Sequence, residues 1–155
     1  MATVTNVDKG KHAISRRVTV ATDANTLFDI VADPHRHSQL DGSGTVKDNV
    51  KGPTRLGPGD KFSVGMKQFG VPYKITSTVT EFVDDAERKV LEWQHPMGHR
   101  WRWELVQTGP TSTEVTESFL YDTAKSPKIL EVLGQTKANS KGITATLEKL
   151  SSKYS

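Results

Sequence analysis

The chain has 155 residues, of which 34% are hydrophobic and 25% charged; this balance supports one domain with a real core and excludes wholesale disorder. Its 21 Lys and Arg against 18 Asp and Glu leave a net charge of +3, too small an excess to argue for a nucleic-acid partner. There is no Cys, which rules out disulfides, thiolate nucleophiles and zinc–thiolate sites. The sequence shows neither a basic-then-apolar leader nor an apolar run of about 18 residues, so the expectation is a cytoplasmic protein with no transmembrane segment.

Met1 to Gly10 is short, polar and weakly patterned, and reads as a flexible lead-in to a single domain over residues 11–153. From His12 to Val20, Ile14, Val18 and Val20 share one parity while Ser15, Arg17 and Thr19 share the other, the period of a strand with unlike faces. Asp23 or Thr22 then caps a short helix whose Leu27, Phe28, Ile30 and Val31 form an apolar stripe. Pro34 ends it, because proline lacks an amide hydrogen and restricts the residue before it. A loop or second short helix follows, up to the turn signals Asp41-Gly42 and Ser43-Gly44, and an extended pattern resumes over Thr45 to Val50.

Gly52-Pro53 and Gly57-Pro58-Gly59 bracket an exposed connection before a strand over Asp60 to Met66, and Phe69 to Pro72 makes a hairpin-like turn. An antiparallel series then runs Tyr73 to Val83, Lys89 to Gln94, Arg100 to Gln107 and Thr113 to Tyr121. Trp101, Trp103 and Leu105 alternate with Arg102, Glu104 and Val106, and Val115, Phe119 and Tyr121 share parity with Glu117. After Lys125-Ser126-Pro127 the period lengthens: Leu130 and Leu133 mark a first apolar turn, and Ile143, Leu147 and Leu150 mark the stripe of a terminal helix over about Thr136 to Lys153.

This order of elements resembles the START-like, Bet v 1-like superfamily, especially its bacterial polyketide cyclase/dehydrase-like branch. The motifs that carry the resemblance are Ile30 to Gly44, Gly59-Asp-Lys-Phe62, Val79-Thr-Glu-Phe82, Val90-Leu-Glu-Trp93, the Trp101/Trp103 strand and Thr113-Glu-Val-Thr-Glu117. The resemblance implies an α+β helix-grip fold: a curved seven-stranded antiparallel sheet around a long C-terminal helix, with two short helices after the first strand. It also implies a cavity for an apolar ligand. Members include lipid carriers, metabolite binders and aromatic-polyketide cyclases, so the fold alone does not choose between transport and chemistry.

For such a chamber the candidate lining is Phe62, Met66, Tyr73, Ile75, Trp93, Trp101, Trp103, Phe119, Tyr121, Leu133, Ile143 and Leu147, which combines apolar area with a few polar handles. Ordinary core packing is the competing reading of each. Glu117, Glu92 and Arg17 are the candidate catalytic groups: a carboxylate in an apolar chamber would hold its proton tightly enough for acid–base work, and Arg17 would stabilise an enolate or carboxylate. Salt bridging, ligand orientation or solvent exposure are the alternatives.

His35 and His37 lie in the loop or short helix after Pro34, and His95 and His99 flank a turn. No spacing makes a metal motif, so cap, turn or rim roles are expected and no metal or other cofactor is called for. Asp41-Gly-Ser-Gly44 lacks the Lys-Ser/Thr of a phosphate loop and reads as a structural turn. Ser43 gains no triad from its sequence neighbours. Arg100 and Arg102 alternate with Trp101 and Trp103, so aromatic-inside and arginine-outside is preferred over nucleic-acid binding.

Three functions follow for test. The first is burial of a hydrophobic or aromatic small molecule, a lipid or polyketide-like metabolite. The second is a polyketide cyclase or dehydratase moving a proton through a polar residue, and the third a non-catalytic structural or regulatory module. A homodimer is compatible with each.

Overall fold

A computed structural model describes residues 3–41, 50–68 and 70–154, and the side chains of all of these but Ser38, Met66, Lys67, Gln68 and Gln135. Gly42, Ser43, Gly44, Phe69 and most of the strand expected over Thr45 to Val50 lie outside the described residues.

The described strands are β1 (Thr5–Val7), β2 (Ala13–Val20), β3 (Val50–Lys51), β4 (Lys61–Gln68), β5 (Val71–Asp84), β6 (Arg88–Gln94), β7 (Arg100–Gly109) and β8 (Ser112–Leu120). They form one antiparallel sheet in the order β1-β2-β8-β7-β6-β5-β4-β3. Between β2 and β3 come α1 (Ala24–Val31), a 3-10 turn over Pro34–Arg36 and α2 (His37–Leu40). After β8 come α3 (Pro127–Val132) and the 19-residue α4 (Gln135–Lys153), which lies against β2 and β8. This is the helix-grip arrangement expected from the sequence, with eight strands rather than seven.

The additional strand is Thr5–Val7, inside the segment expected to be a lead-in; it pairs with β2 through Thr5↔Arg17 and Val7↔Ser15. Three residues are too few for alternation to register as a period, and what holds them is the backbone edge of β2 rather than a hydrophobic pattern. At the other end of β2, Asp23 caps α1 as expected, accepting from the Thr26 amide at 3.2 Å. Leu27, Phe28, Ile30 and Val31 are buried, so the helical stripe closes one end of the sheet and contributes roughly 1.5–3 kcal/mol per side chain.

The core lies on the concave side. Along β7 the residues Trp103 and Leu105 are buried there, and Ile143, Leu147 and Leu150 of α4 meet the sheet from the opposite side. In β5 the register shifts between Val79 and Glu81. The bulge turns two consecutive side chains outward: Thr80 donates to Glu92 and Glu81 pairs with Arg102, while Phe82 still faces the core beside Phe28.

The β6–β7 turn is locked to the segment after β8. Gly98 has φ 99°, its carbonyl accepts from Thr123 Oγ1 at 2.6 Å and from Gln94 Nε2 at 2.9 Å, and a Cβ there would collide with the Thr123 carbonyl oxygen. Gly98→Ala is therefore expected to cost about 2–4 kcal/mol, from strain at positive φ plus displaced backbone. In thermal unfolding followed by circular dichroism this corresponds to a midpoint lower by roughly 5–10 °C; an unchanged midpoint would show that the turn relaxes freely.

Candidate functional site

Register assigns the concave surface row by row. Trp93 faces Trp101, and Trp101 in turn faces Phe119; the next row runs Leu91, Trp103, Glu117 and Arg16. On the other flank Phe62 is opposite Ser77 and Val64 is opposite Ile75. The rings meet as register demands: Trp101 and Phe119 have centroids 5.0 Å apart, Phe62 sits edge-on to Trp93 at 5.4 Å, and Phe119 stacks on Tyr121 at 5.5 Å. These are favourable aromatic geometries on a wall facing α4.

Of the lining expected from sequence, Phe62, Trp103, Phe119, Tyr121, Ile143 and Leu147 are buried. Trp93, Trp101 and Ile75 are half-buried. Tyr73 is 41% exposed near the end of the β4–β5 hairpin, and the Met66 side chain lies outside the described set. Leu133 is 75% exposed on the turn between α3 and α4. Its apolar period breaks because Gly134, at φ 75°, reverses the chain before α4 begins.

The three candidate catalytic groups do not come together. Glu92 is on the outer face, where Arg100 and Arg102 approach it at 3.4 and 3.3 Å and Thr80 donates to it at 2.8 Å. Arg17 is also outward, donating to Thr116 Oγ1 at 3.0 Å and pairing with Glu114 at 3.3 Å. Only Glu117 faces the concave side. The physical reason is parity: Arg17 alternates with the core-facing Val18, and Glu92 lies between Leu91 and Trp93. The inward arginine is Arg16, whose guanidinium donates to Ser140 Oγ of α4 at 2.7 Å and to the Ser15 carbonyl at 2.8 Å. Its parity with Ile14, Val18 and Val20 was the signal for it.

Glu117 is 7% exposed, and among the described residues nothing hydrogen-bonds to its Oε1. Burial first, and the Asp41 charge second, push its pKa up to about 8. At neutral pH it is therefore mostly a neutral acid with an O–H to donate. Among the described residues His99 Nδ1 is the other buried side-chain polar atom without a partner; its ring lies 5.2 Å from Phe119 and 4.2 Å from His95, and burial followed by His95 lowers its pKa to about 4.

His37, expected at a rim or turn, instead stacks on Trp93 at 5.2 Å, and its Nε2–H donates to the Val31 carbonyl at 2.8 Å. Burial holds its pKa below the ordinary 6.5, so it is a neutral part of the wall. His35 points elsewhere and donates to the Gly52 carbonyl at 2.8 Å. Among the described residues no group of three or more His, Asp or Glu converges as a metal site would require.

The outer face carries a cleft of about 510 Å³ bounded by Lys9, His12, Glu92, Arg100, Arg102 and Asp122. Most of its charges answer one another: Arg100 pairs with Asp122 at 3.0 Å, Arg102 with Glu81 and Glu104, and Lys9 with Glu104, while Lys11 also lines the cleft. It is a structural ion network, and it confirms the expected outward Arg100 and Arg102.

A sheet gripping a terminal helix, with Glu117 buried in an aromatic concave wall, is the START-like helix-grip fold. Human STARD10 superposes with a TM-score of 0.61 at 16% identity over 95% of this chain and 68% of that one. The AHSA1-like protein of Aeromonas hydrophila gives 0.57 at 18% over 89% and 90%. No family model matches the chain. An uncharacterized Mycobacterium tuberculosis protein, Rv0088, is 52% identical over 158 aligned positions, spanning 99% of this chain and 69% of that protein. The chain belongs to the same family as Rv0088. Among the described residues no helix is long and apolar enough to cross a membrane.

The raised acid makes stability pH-dependent with a definite sign. Glu117 keeps its proton in the folded chain up to about pH 8, whereas its ordinary value is 4.5, so its own contribution to stability is greatest at low pH and is lost as pH rises between those values. Against Glu117→Gln as the reference, which cancels the histidines, the native chain should lose roughly 3 kcal/mol between pH 5 and 8. Urea unfolding of the pair across that range checks it; parallel stability profiles would mean the carboxyl is solvated.

Proposed function

We propose that the chain binds a hydrophobic or aromatic small molecule, of lipid or polyketide-like chemistry, between the concave face and α4, and does so in the cytoplasm. The observation that carries this is the Glu117 carboxyl, buried beside Trp103 and Phe119 with an oxygen that the described residues leave unpartnered. A buried polar atom without a partner costs roughly 1–3 kcal/mol, and a ligand carbonyl or hydroxyl would recover it. The surrounding Trp93, Trp101 and Phe119 would supply affinity by apolar burial, and Glu117 would fix orientation.

A second reading, a cyclase or dehydratase, draws on the same carboxyl. An acid whose pKa is about 8 is protonated and close to balance near neutrality, the condition under which a general acid passes its proton most effectively. In that reading the wall folds a reactive chain and Glu117 protonates an oxygen as it leaves or enolises.

Native mass spectrometry of gently purified protein, followed by denaturing extraction, tests binding: one apolar molecule of a few hundred daltons per chain is expected. Glu117→Leu should weaken rebinding of that molecule about tenfold, the loss of one buried hydrogen bond. Protein that arrives empty and takes up neither lipid nor polyketide extracts would overturn the binding reading. Turnover of a polyketide that disappears in Glu117→Gln while binding persists would select the enzyme instead.

A further inference from the structure

A second opening lies on the concave side, between β2 and the first two turns of α4. It is a cleft of about 500 Å³ bounded by Ile14, Arg16, Tyr121, Lys137, Ser140 and Lys141. Its charged side chains are three cations, and among the described residues no carboxylate lies within ion-pair distance of any of them. Glu131 accepts from Tyr121 Oη at 3.0 Å, and neither it nor Glu117, the register partner of Arg16, is part of the lining. The contrast with the outer cleft is direct, since there each arginine meets its own carboxylates.

Arg16 is also preorganised. Its two bonds, to Ser140 on the helix and to the Ser15 carbonyl on the strand, fix the guanidinium at the floor of the cleft, so that ordering cost is already met before a ligand arrives. The first turn of α4 has no acidic residue and its Gly134 cap offers no side chain, which leaves the positive end of the helix beside the same opening.

The apolar part of the lining leads inward. Ile14 is the register partner of Phe119, Tyr121 stacks on Phe119, and Phe119 packs on Trp101. A chain entering at the cleft would therefore pass from cations to aromatic rings without a break in the wall.

We propose that this cleft holds the anionic end, a carboxylate or a phosphate, of an amphipathic ligand whose apolar body runs inward over Ile14, Tyr121 and Phe119. The assignment rests on the chamber-binding reading and adds to it a polarity: charged group at the β2–α4 opening, apolar body toward Trp101. Arg16 supplies the fixed, charge-assisted bonds, and Lys137 and Lys141 supply adjustable charge at the rim.

Isothermal titration with decanoate, decyl phosphate, decan-1-ol and inorganic phosphate, each alkyl probe below its micelle concentration, separates the parts. The anionic alkyl probes are expected to bind at least about tenfold more tightly than decan-1-ol. The double variant Lys137→Gln/Lys141→Gln, at exposed positions, should reduce most of that preference and leave decan-1-ol binding unchanged; Arg16→Gln should abolish it, with Arg16→Lys retaining part. Equal affinity for decanoate and decan-1-ol in the unmodified chain would overturn the anionic subsite while leaving the chamber intact. Inorganic phosphate binding as tightly as decyl phosphate would reduce it to a free-anion site. No binding of any alkyl probe would overturn the chamber reading, and the subsite with it.

Discussion

Everything on the concave face depends on the register in which β8 sits between β2 and β7. Arg16↔Glu117 on one side and Trp103↔Glu117 on the other fix which residues of three strands face α4. A slip of one residue would exchange the two faces: Glu117 would enter the outer ion network, and Ser118 would enter the aromatic wall. The outer side helps hold the register, because Ser15 and Ser118, both fully buried, bond to each other there at 2.7 Å. That pairing satisfies two hydroxyls that have no other outlet, so the register that exposes Glu117 to the interior also closes the back of the sheet.

The two faces treat buried charge in opposite ways. Outside, Glu92 is even less accessible than Glu117, yet it has two arginines and a threonine hydroxyl, and Arg102 in turn meets Glu81 and Glu104. Such a network answers the desolvation of each member with a neighbour. Inside, Glu117 and His99 are driven toward their neutral forms by burial. Neutrality makes them tolerable in an apolar wall, but it leaves their hydrogen-bonding capacity unused. Polar groups that fold stability alone would replace with hydrocarbon are therefore concentrated on the face that also carries the aromatic surface.

What the sequence revealed, and what it hid, follows from the length over which a pattern must hold. The long alternations in β7 and β8 and the stripe of α4 carry enough repeats to group Trp103 with Leu105, Phe119 with Glu117 and Ile143 with Leu147 by period, while which face is buried comes only from the packing. Thr5–Val7 has too few residues to show a period, and its strand exists only because β2 offers an edge. The bulge at Thr80 is a two-against-one mismatch visible only in pairing with β6. In β2 the residue in phase with Ile14 and Val18 is Arg16, and Arg17 takes the outer face with Thr116 and Glu114. Glu92 differs again: nothing in Val90-Leu-Glu-Trp93 reveals that both sides of β6 are covered, so a buried carboxylate there resembles a chamber residue until its arginines are placed.

Arg16 and Glu117 are register partners on the same face, and an ordinary sheet would let them neutralise each other. Their separation has a structural cause: Ser140 on α4 and the Ser15 carbonyl hold the guanidinium toward the helix, while Glu117 stays in the row with Trp103. A direct bond between the pair would have drawn the carboxyl well below its ordinary range and made it an acceptor. Holding the cation at the opening leaves the interior carboxyl protonated, so one cross-strand pair presents a cation at the β2–α4 cleft and a neutral acid in the aromatic wall. The tether from β2 to α4 therefore contributes more than packing: it keeps apart a cation and an acid that an ion pair would neutralise together.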